Sequence, residues 1–444
     1  MAQYSVSRKS NYPINANSDI HEINLIAHSD GEFVTAVNPW GNRVVTVDDD
    51  TVQHTSKNRR KVSTFEVTDF GTYLNGKDED IWDELVTGTA SATHDAYLGM
   101  VKLQVGSSVG DQVYRQTKKI QRYIPGRQNE VSMAMLWGQP TTGVRRRIGL
   151  FDQFDGAYFE DAGDGDYYCV IRRNTAGGIV ETRVGRADWS DDRLDGTGPS
   201  GITANPDNIQ LMVIEYEWYG AGQVEFKFVI DNNAHPIHKF NHANTISTTW
   251  AAKAALPIRV ELTNVTGAAG THTFYQGSHS FATEGTTTLL GRQKNISSAI
   301  TGKTLTLANT YYPVLAIRLK SSFLSSVVIP DVYSGITLDN TDVFVRVLEG
   351  PTVTGGTWVS YGAESPVEYN ITATSFTGGS IVDTVYANAS NQGAQISFPE
   401  RTTTQLSRKT TTTLGDTASI FLIAIATTGA NKDAWASLGW IEVR

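Results

Sequence analysis

In QVEFKFVID, residues 223–231, Val224, Phe226, Phe228 and Ile230 alternate with Glu225 and Lys227. Side chains two apart on a strand share a face, so the stretch reads as a strand with one apolar and one polar face. The preceding run IQLMVIEYEW (209–218) keeps the same phase, with Ile214, Tyr216 and Trp218 opposite Glu215 and Glu217. The link YGAGQ carries two glycines suited to a tight reversal, and DNNAHP turns the chain into HPIHKF (235–240). Short apolar runs bounded by Gly, Asn and Asp clusters recur along the rest of the chain, without a long stretch of helical period. The pattern predicts an all-β protein, with a short helical turn only around EDIWDELV (79–86).

A chain of 444 residues is too long for one ordinary core. Turn signals and the density of strands divide it into an N-terminal arm and attachment segment (1–62), a β-sandwich (63–295) and a C-terminal β-domain (296–444). In the first, NLIAHSDGEFVTAV (24–37) and GNRVVTV (41–47) can pair through the NPWG turn, and polar 48–63 reads as a linker or exposed loop. In the last, ASIFLIAIATT (418–428) is the most apolar run and reads as a central strand or one buried at a subunit contact. The Thr-rich run ERTTTQLSRKTTTTLGD (400–416) reads as extended and exposed.

The net charge of −9 disfavours generic nucleic-acid binding, because the phosphate backbone is polyanionic. The basic runs KNRRK (57–61), RQTKKIQR (115–122) and VRRRI (144–148) read as solvated strand edges. The single cysteine, Cys169 in YYCVIRR, allows neither an intramolecular disulfide nor a Cys-based zinc site, and reads as a buried inert thiol. The N-terminus lacks the apolar core of a signal peptide, and no stretch reaches the length of a membrane helix.

Glu215 and Glu217 share a strand face, which suits retaining glycoside hydrolysis, where the carboxyls stand about 5–5.5 Å apart. Sandwich-fold endoglucanases space their acids Glu-x-Asp-x-x-Glu, whereas this chain has Glu217 and Gly220 at the second and third of those positions. The commoner reading of such a pair is the wet face of a strand, and catalysis is the lesser alternative. Asp161, Asp164 and Asp166 in DAGDGD are candidate calcium ligands, against ordinary Asp-Gly turn chemistry. His235, His238 and His242 are spaced for a metal on a helix, but Pro236 and the strand context oppose one. Trp189, Trp218 and Trp250 are candidates to stack on sugar rings if exposed, or else core or interface anchors.

WYGAGQVEFKFVIDNNAHPIHKF resembles the hairpin of concanavalin-type lectin and glucanase sandwiches. Together with RRIGLFDQFDGAYFE (146–160), ETRVGRADWSDDRLDGTGPSG (181–201), FNHAN (240–244) and YYPVLAIRLK (311–320), it is similar to a domain of virion structural proteins of tailed bacteriophages. The resemblance spans about residues 60 to 444. It implies a concanavalin-like jelly-roll sandwich followed by a C-terminal β-sandwich domain. It further implies a non-enzymatic part of a virion made in the bacterial cytoplasm: a surface spike, fibre, decoration or tail, neck or baseplate protein. Its expected partners are other virion proteins and copies of itself, with a trimer favoured, and a host surface glycan is a candidate ligand. No nucleic acid, membrane insertion or cofactor other than calcium is expected. The alternatives are a free carbohydrate-binding module and, less favoured, a glycoside hydrolase.

Overall fold

The computed structural model describes residues 65–219, 222–285, 291–337, 340–387, 405–409 and 414–443, with the backbone of short strands at 24–27, 34–37, 45–47 and 394–397. The chain divides into two compact units, Met1–Phe65 and Glu66–Arg444. In the first, Asn24–Ala27, Val34–Val37 and Val45–Val47 form a three-stranded antiparallel sheet. The pairing across NPWG is as expected, and 24–37 is itself a hairpin rather than one strand. The linker read at 48–63 and the basic run at 57–61 lie outside the described residues.

The second unit is all-β among the described residues, with only two short 3-10 turns besides strands. Two antiparallel sheets make its N-terminal sandwich. The seven-stranded sheet runs in the order Gly178–Gly185, Tyr167–Thr175, Gly156–Asp161, Val144–Phe151, Ile258–Asn264, Gln112–Thr117, Trp82–Thr87. The eight-stranded sheet runs Asn233–Asn241, Gln223–Ile230, Gln210–Tyr216, Asn129–Leu136, His272–Glu284, Met100–Val105, Ser91–Asp95, and Phe65–Gly71 also pairs with His272–Glu284. The chain repeatedly changes sheet, so strands distant in sequence become neighbours, as in a jelly roll.

The alternation read from the sequence sets which face each strand buries. Met212, Ile214, Tyr216, Val224, Phe226 and Phe228 of one sheet face Ile148, Leu150, Phe159, Val260 and Leu262 of the other in one core. Phe159 meets Phe226 edge-on with ring centroids 4.9 Å apart, a direct contact between the sheets. Cys169 lies in this core with no exposure, and burial pushes its thiol pKa up, which keeps it protonated and inert.

A separate core lies in the C-terminal part, between the sheet containing Lys432–Val443 and Val327–Thr337 and the one containing Tyr312–Leu319, Phe421–Thr427 and Val343–Glu349. Phe421–Thr427 is fully buried and central, as its composition predicts: Phe421, Ile423 and Ile425 face the main core, and Leu422 and Ala424 face a smaller one. Arg292–Ser297 pairs with Lys432–Val443 at the edge of the first of these sheets.

Three local expectations are overturned, each by non-local packing. The helical turn expected over 79–86 is confined to 79–81, where the Trp82 amide donates to the Asp78 carbonyl at 3.0 Å, and 82–87 form a strand that completes the sheet against Gln112–Thr117. Trp82 is buried, with the Arg115 guanidinium 5.1 Å over its ring and His279 edge-on at 5.3 Å. The run at 115–122 is therefore not a solvated edge: Arg115 is buried between Glu84 and the Gln276 side chain. The described parts of the Thr-rich run are interior too, since Leu406, Arg408 and Leu414 are buried.

His279 gives this packing a pH signature. Its ring is buried, and a Cβ at Gly71 would stand 2.4 Å from its Cε1. Burial pushes its pKa down to about 4, with Asp69 opposing the shift. A histidine depressed in the folded state contributes stability that is complete above its unfolded pKa of about 6.5 and is lost as pH falls through the folded value. Stability should therefore drop by up to about 3 kcal/mol between pH 6.5 and 4 on this account. Urea denaturation across that window should show a flatter profile for His279→Leu, and an equally steep one would rule His279 out as the cause.

Candidate binding face

The polar phase of the seven-stranded sheet faces away from the sandwich core. Its register places Arg147 between Glu160 and Glu261, and Glu261 next to Tyr114. Arg147 Nε donates to Glu160, and its Nη1 lies 3.5 Å from Glu261 Oε2. Arg259 Nε donates to Glu261 Oε1 at 2.6 Å, and its Nη1 donates to Gln116 Oε1 at 3.2 Å. Arg172 Nε donates to Glu181 Oε1 at 2.9 Å, and its Nη1 donates to the Asp152 carbonyl at 2.9 Å. Arg183 closes the row by donating to the other oxygen of Glu160.

The guanidinium groups stand over an aromatic floor. Phe151 and Tyr158, with centroids 4.5 Å apart, form a small buried cluster with Val170 on this outer side. Arg147 and Arg172 each stand 5.1 Å over Tyr158, and Arg259 stands 5.1 Å over Tyr114. The floor depends on Gly149, directly opposite Tyr158: a Cβ there would lie 2.3 Å from the Ala157 carbonyl oxygen and 2.6 Å from Tyr158 Cα. VRRRI is thus no solvated edge either, because Arg146 pairs with buried Asp161 on the inner side and Arg147 with Glu160 on the outer.

The charges on this face are fixed. Burial alone would raise the pKa of Glu261, but Arg259 and Arg147 outweigh it and hold the carboxyl below its ordinary range. Glu181 is likewise raised by burial and brought lower overall by the Tyr158 hydroxyl and Arg172. Neither is poised as a proton donor near neutral pH. Over this floor runs a shallow groove of about 350 Å³, lined among others by Tyr114, Gln112, Gln153, Ile179, Glu181 and Arg259. It is bounded by guanidinium, carboxylate and amide groups held in place by pairing, with Tyr114 as its partly exposed ring.

The residues singled out from the sequence lie elsewhere. Glu215 is on the outer face of the other sheet, where Lys227 and Gln128 both donate to it. Its row across the sheet runs Glu130, Glu215, Glu225, Lys239. Glu225 and Lys227 are buried and Glu130, Glu215 and Lys239 half-buried, so this row is an ion-paired ladder and not a freely solvated face. Glu130 is raised by burial and then by Glu215. Glu217 lies beyond the strand end, where its carbonyl accepts from Trp250 Nε1 at 2.8 Å.

Trp189 and Trp250 are buried, at 8% and 3% exposure, and so are core anchors instead of exposed stacking platforms. Trp218 is half-buried against Tyr123 and Tyr219, and its Nε1 donates to the Ala251 carbonyl at 2.9 Å. Asp161 is unavailable to calcium, since one oxygen accepts from Arg146 and the other from the Gly163 amide. Asp164 accepts from the Tyr168 hydroxyl and the Asp166 amide. Among the described residues no group of three or more acidic, His or Cys side chains is arranged to hold a metal. His238 Nδ1 instead accepts from the Ser190 amide at 3.2 Å, and His238 packs edge-on against Phe240. The outer-face residues carried a signal that was available: VRRRIGLF, GAYFED and RVELTN all place charge on the polar phase of strands whose other phase is core.

No protein-family model matches the chain, and no curated protein matches it in sequence. Among solved structures it is similar to the legume lectin-like domain from Entamoeba histolytica, at 9% identity and a TM-score of 0.29, over 48% of this chain and 95% of that one. It is also similar to the CBM2 module of the evolved Dit of Lactobacillus casei BL23 phage J-1, at 9% identity and a TM-score of 0.33, over 50% and 96%. A third similar structure is arcelin-5, a lectin-like defense protein from Phaseolus vulgaris, at 10% identity and a TM-score of 0.31, over 49% and 98%.

Proposed function

We propose that this chain is a non-enzymatic, lectin-like component of a bacteriophage particle that binds an extended saccharide across the outer face of its seven-stranded sheet. The observation that carries the binding reading is the groove over Tyr114, Arg147, Arg172, Arg259 and their paired glutamates. Sugar hydroxyls need closely spaced donors and acceptors, and sugar C–H faces need aromatic surface; the groove brings the paired charges of this sheet together with the partly exposed ring of Tyr114. Glu261 and Glu181 being held ionised supports binding over hydrolysis, which needs a protonated acid. The virion part of the reading is supported by the sequence resemblance across about residues 60 to 444.

A panel of bacterial envelope polysaccharides, titrated against the full chain, tests the binding part. We expect at least one to bind, Tyr114→Ala to weaken it by about tenfold (about 1.4 kcal/mol), and the polymer to stay uncut. Absence of binding to every member would sink the reading. Shortening of the polymer that disappears in the Glu215→Gln/Glu217→Gln double variant would replace it with the hydrolase alternative. Immunogold labelling of the source phage tests the particle part separately, and unlabelled intact and disrupted particles would overturn it.

A further inference from the structure

Where the C-terminal domain meets the sandwich, a cleft of about 510 Å³ is lined by Arg408, Lys253, Gln153, Ser322, Ser325 and Ser326. Arg408 is 4% exposed, and its Nε and Nη2 have no hydrogen-bond partner among the described residues. Its backbone is fixed, since Arg408 pairs with Ala418 and the adjacent Leu406 amide donates to the Val328 carbonyl at 2.8 Å. Gly415, at φ +67°, backs the guanidinium: a Cβ there would lie 3.3 Å from Arg408 Cζ.

The acids that could neutralise this charge are engaged elsewhere. Asp152 pairs with Lys253 and accepts from the Phe154 and Asp155 amides at 2.8 and 2.9 Å. Asp416 accepts from the Thr417 hydroxyl at 3.1 Å. Burial lowers the guanidinium pKa and outweighs Asp152 and Asp83, which act on Arg408 through charge without a hydrogen bond to it, while Arg259 opposes them with a further positive charge. A guanidinium is always protonated and presents its donors in a fixed fork that matches an oxyanion. A buried guanidinium with two donors left unbonded among the described residues, lining a cleft that serine hydroxyls also line, has the chemistry of an oxyanion site.

We propose that this cleft binds the oxyanion, carboxylate or phosphate, of an acidic saccharide, with Arg408 as the principal anchor. Gln153 lines both this cleft and the sheet-face groove, so one chain can occupy the groove and place its charged group on Arg408. The saccharide half of this assignment rests on the sheet-face reading; the anion half does not.

The test is thermal unfolding of the full chain at constant ionic strength with phosphate, glucuronate or glucose, for the wild type and Arg408→Met. At a concentration about tenfold above Kd, phosphate, glucuronate or both should raise the wild-type midpoint by about 3 °C. Glucose should not do so, and neither anion should act on Arg408→Met. The variant without ligand should be at least as stable as the wild type, because it removes a buried unpaired charge. Which anion acts identifies the source of the charge. No anion effect on the wild type, an undiminished effect on the variant, or a variant that is destabilised or fails to fold would overturn the proposal. Arg408→Lys, which keeps the charge but not the fork, should retain a weakened anion effect. An anion effect without polysaccharide binding would leave this site standing and remove the groove reading.

Discussion

Replacing Glu261 with leucine should destabilise the protein by about 3–5 kcal/mol, since removing one partner of a buried ion pair strands the other charges in low dielectric. Glu261 is 3% exposed and engages Arg259 at 2.6 Å and Arg147 at 3.5 Å. Arg147 would keep Glu160, but Arg259 would keep only the Gln116 side chain. Because Arg147 and Arg259 also roof Tyr158 and Tyr114, their displacement should open the aromatic floor as well. The linkage has a definite sign. The folded-state pKa of Glu261 is lowered, so its contribution is complete above the unfolded pKa of about 4.3 and is lost as pH falls below that value. Urea denaturation at pH 7 should show the full loss in Glu261→Leu, and the gap from wild type should narrow on acidification. A change under about 1 kcal/mol at pH 7 would mean that the pair is worth no more than an exposed one, and the rigid-floor account would fail.

The sandwich itself was legible because alternation is a local signal. Val224, Phe226 and Phe228 announce their face within nine residues, and the structure buries them as read. The pairing on the outer face was not legible, for the opposite reason, although the charge on the polar phase of its strands was. Arg147, Glu160 and Glu261 meet only because Ile258–Asn264 enters the sheet beside Val144–Phe151, more than a hundred residues away in sequence. Local charge density therefore misleads: RQTKKIQR and VRRRI look like solvent-facing edges, yet Arg115, Arg146 and Arg147 pair across strands with Glu84, Asp161 and Glu160. Trp82 shows the same limit for secondary structure. Its segment has mixed local preference, and an edge pairing with Gln112–Thr117 decides it. The Glu215 pair drew attention as two acids on one face, but the decisive neighbour is Lys227, supplied by the register with the next strand. Burial of Trp189 and Trp250 is likewise set by which loops fold over them, which composition does not encode.

Trp440→Ala should cost about 3–5 kcal/mol, the range for deleting a large buried aromatic side chain. Trp440 has no exposure, stacks edge-on with Tyr361 at 4.9 Å, and donates from Nε1 to Glu442 Oε1 at 3.2 Å. The cavity would form in the C-terminal core, which shares no buried residue with the sandwich core. The clefts between the two are of mixed character, with Phe70, Phe323, Val327 and Leu414 beside Arg122, Lys253, Glu349 and Arg408. Clefts in place of a continuous shared core couple the two weakly, so the damage should stay on one side. Hydrogen exchange should then show lost protection in Phe421–Thr427 and Val343–Glu349, while Asn129–Leu136 and Gln210–Tyr216 keep theirs. Equal loss in both sets would show that the two cores unfold as one unit. The Arg408 cleft would then be an internal seam of a single cooperative body, and a ligand anion would find it less accessible than a junction between two bodies that open independently.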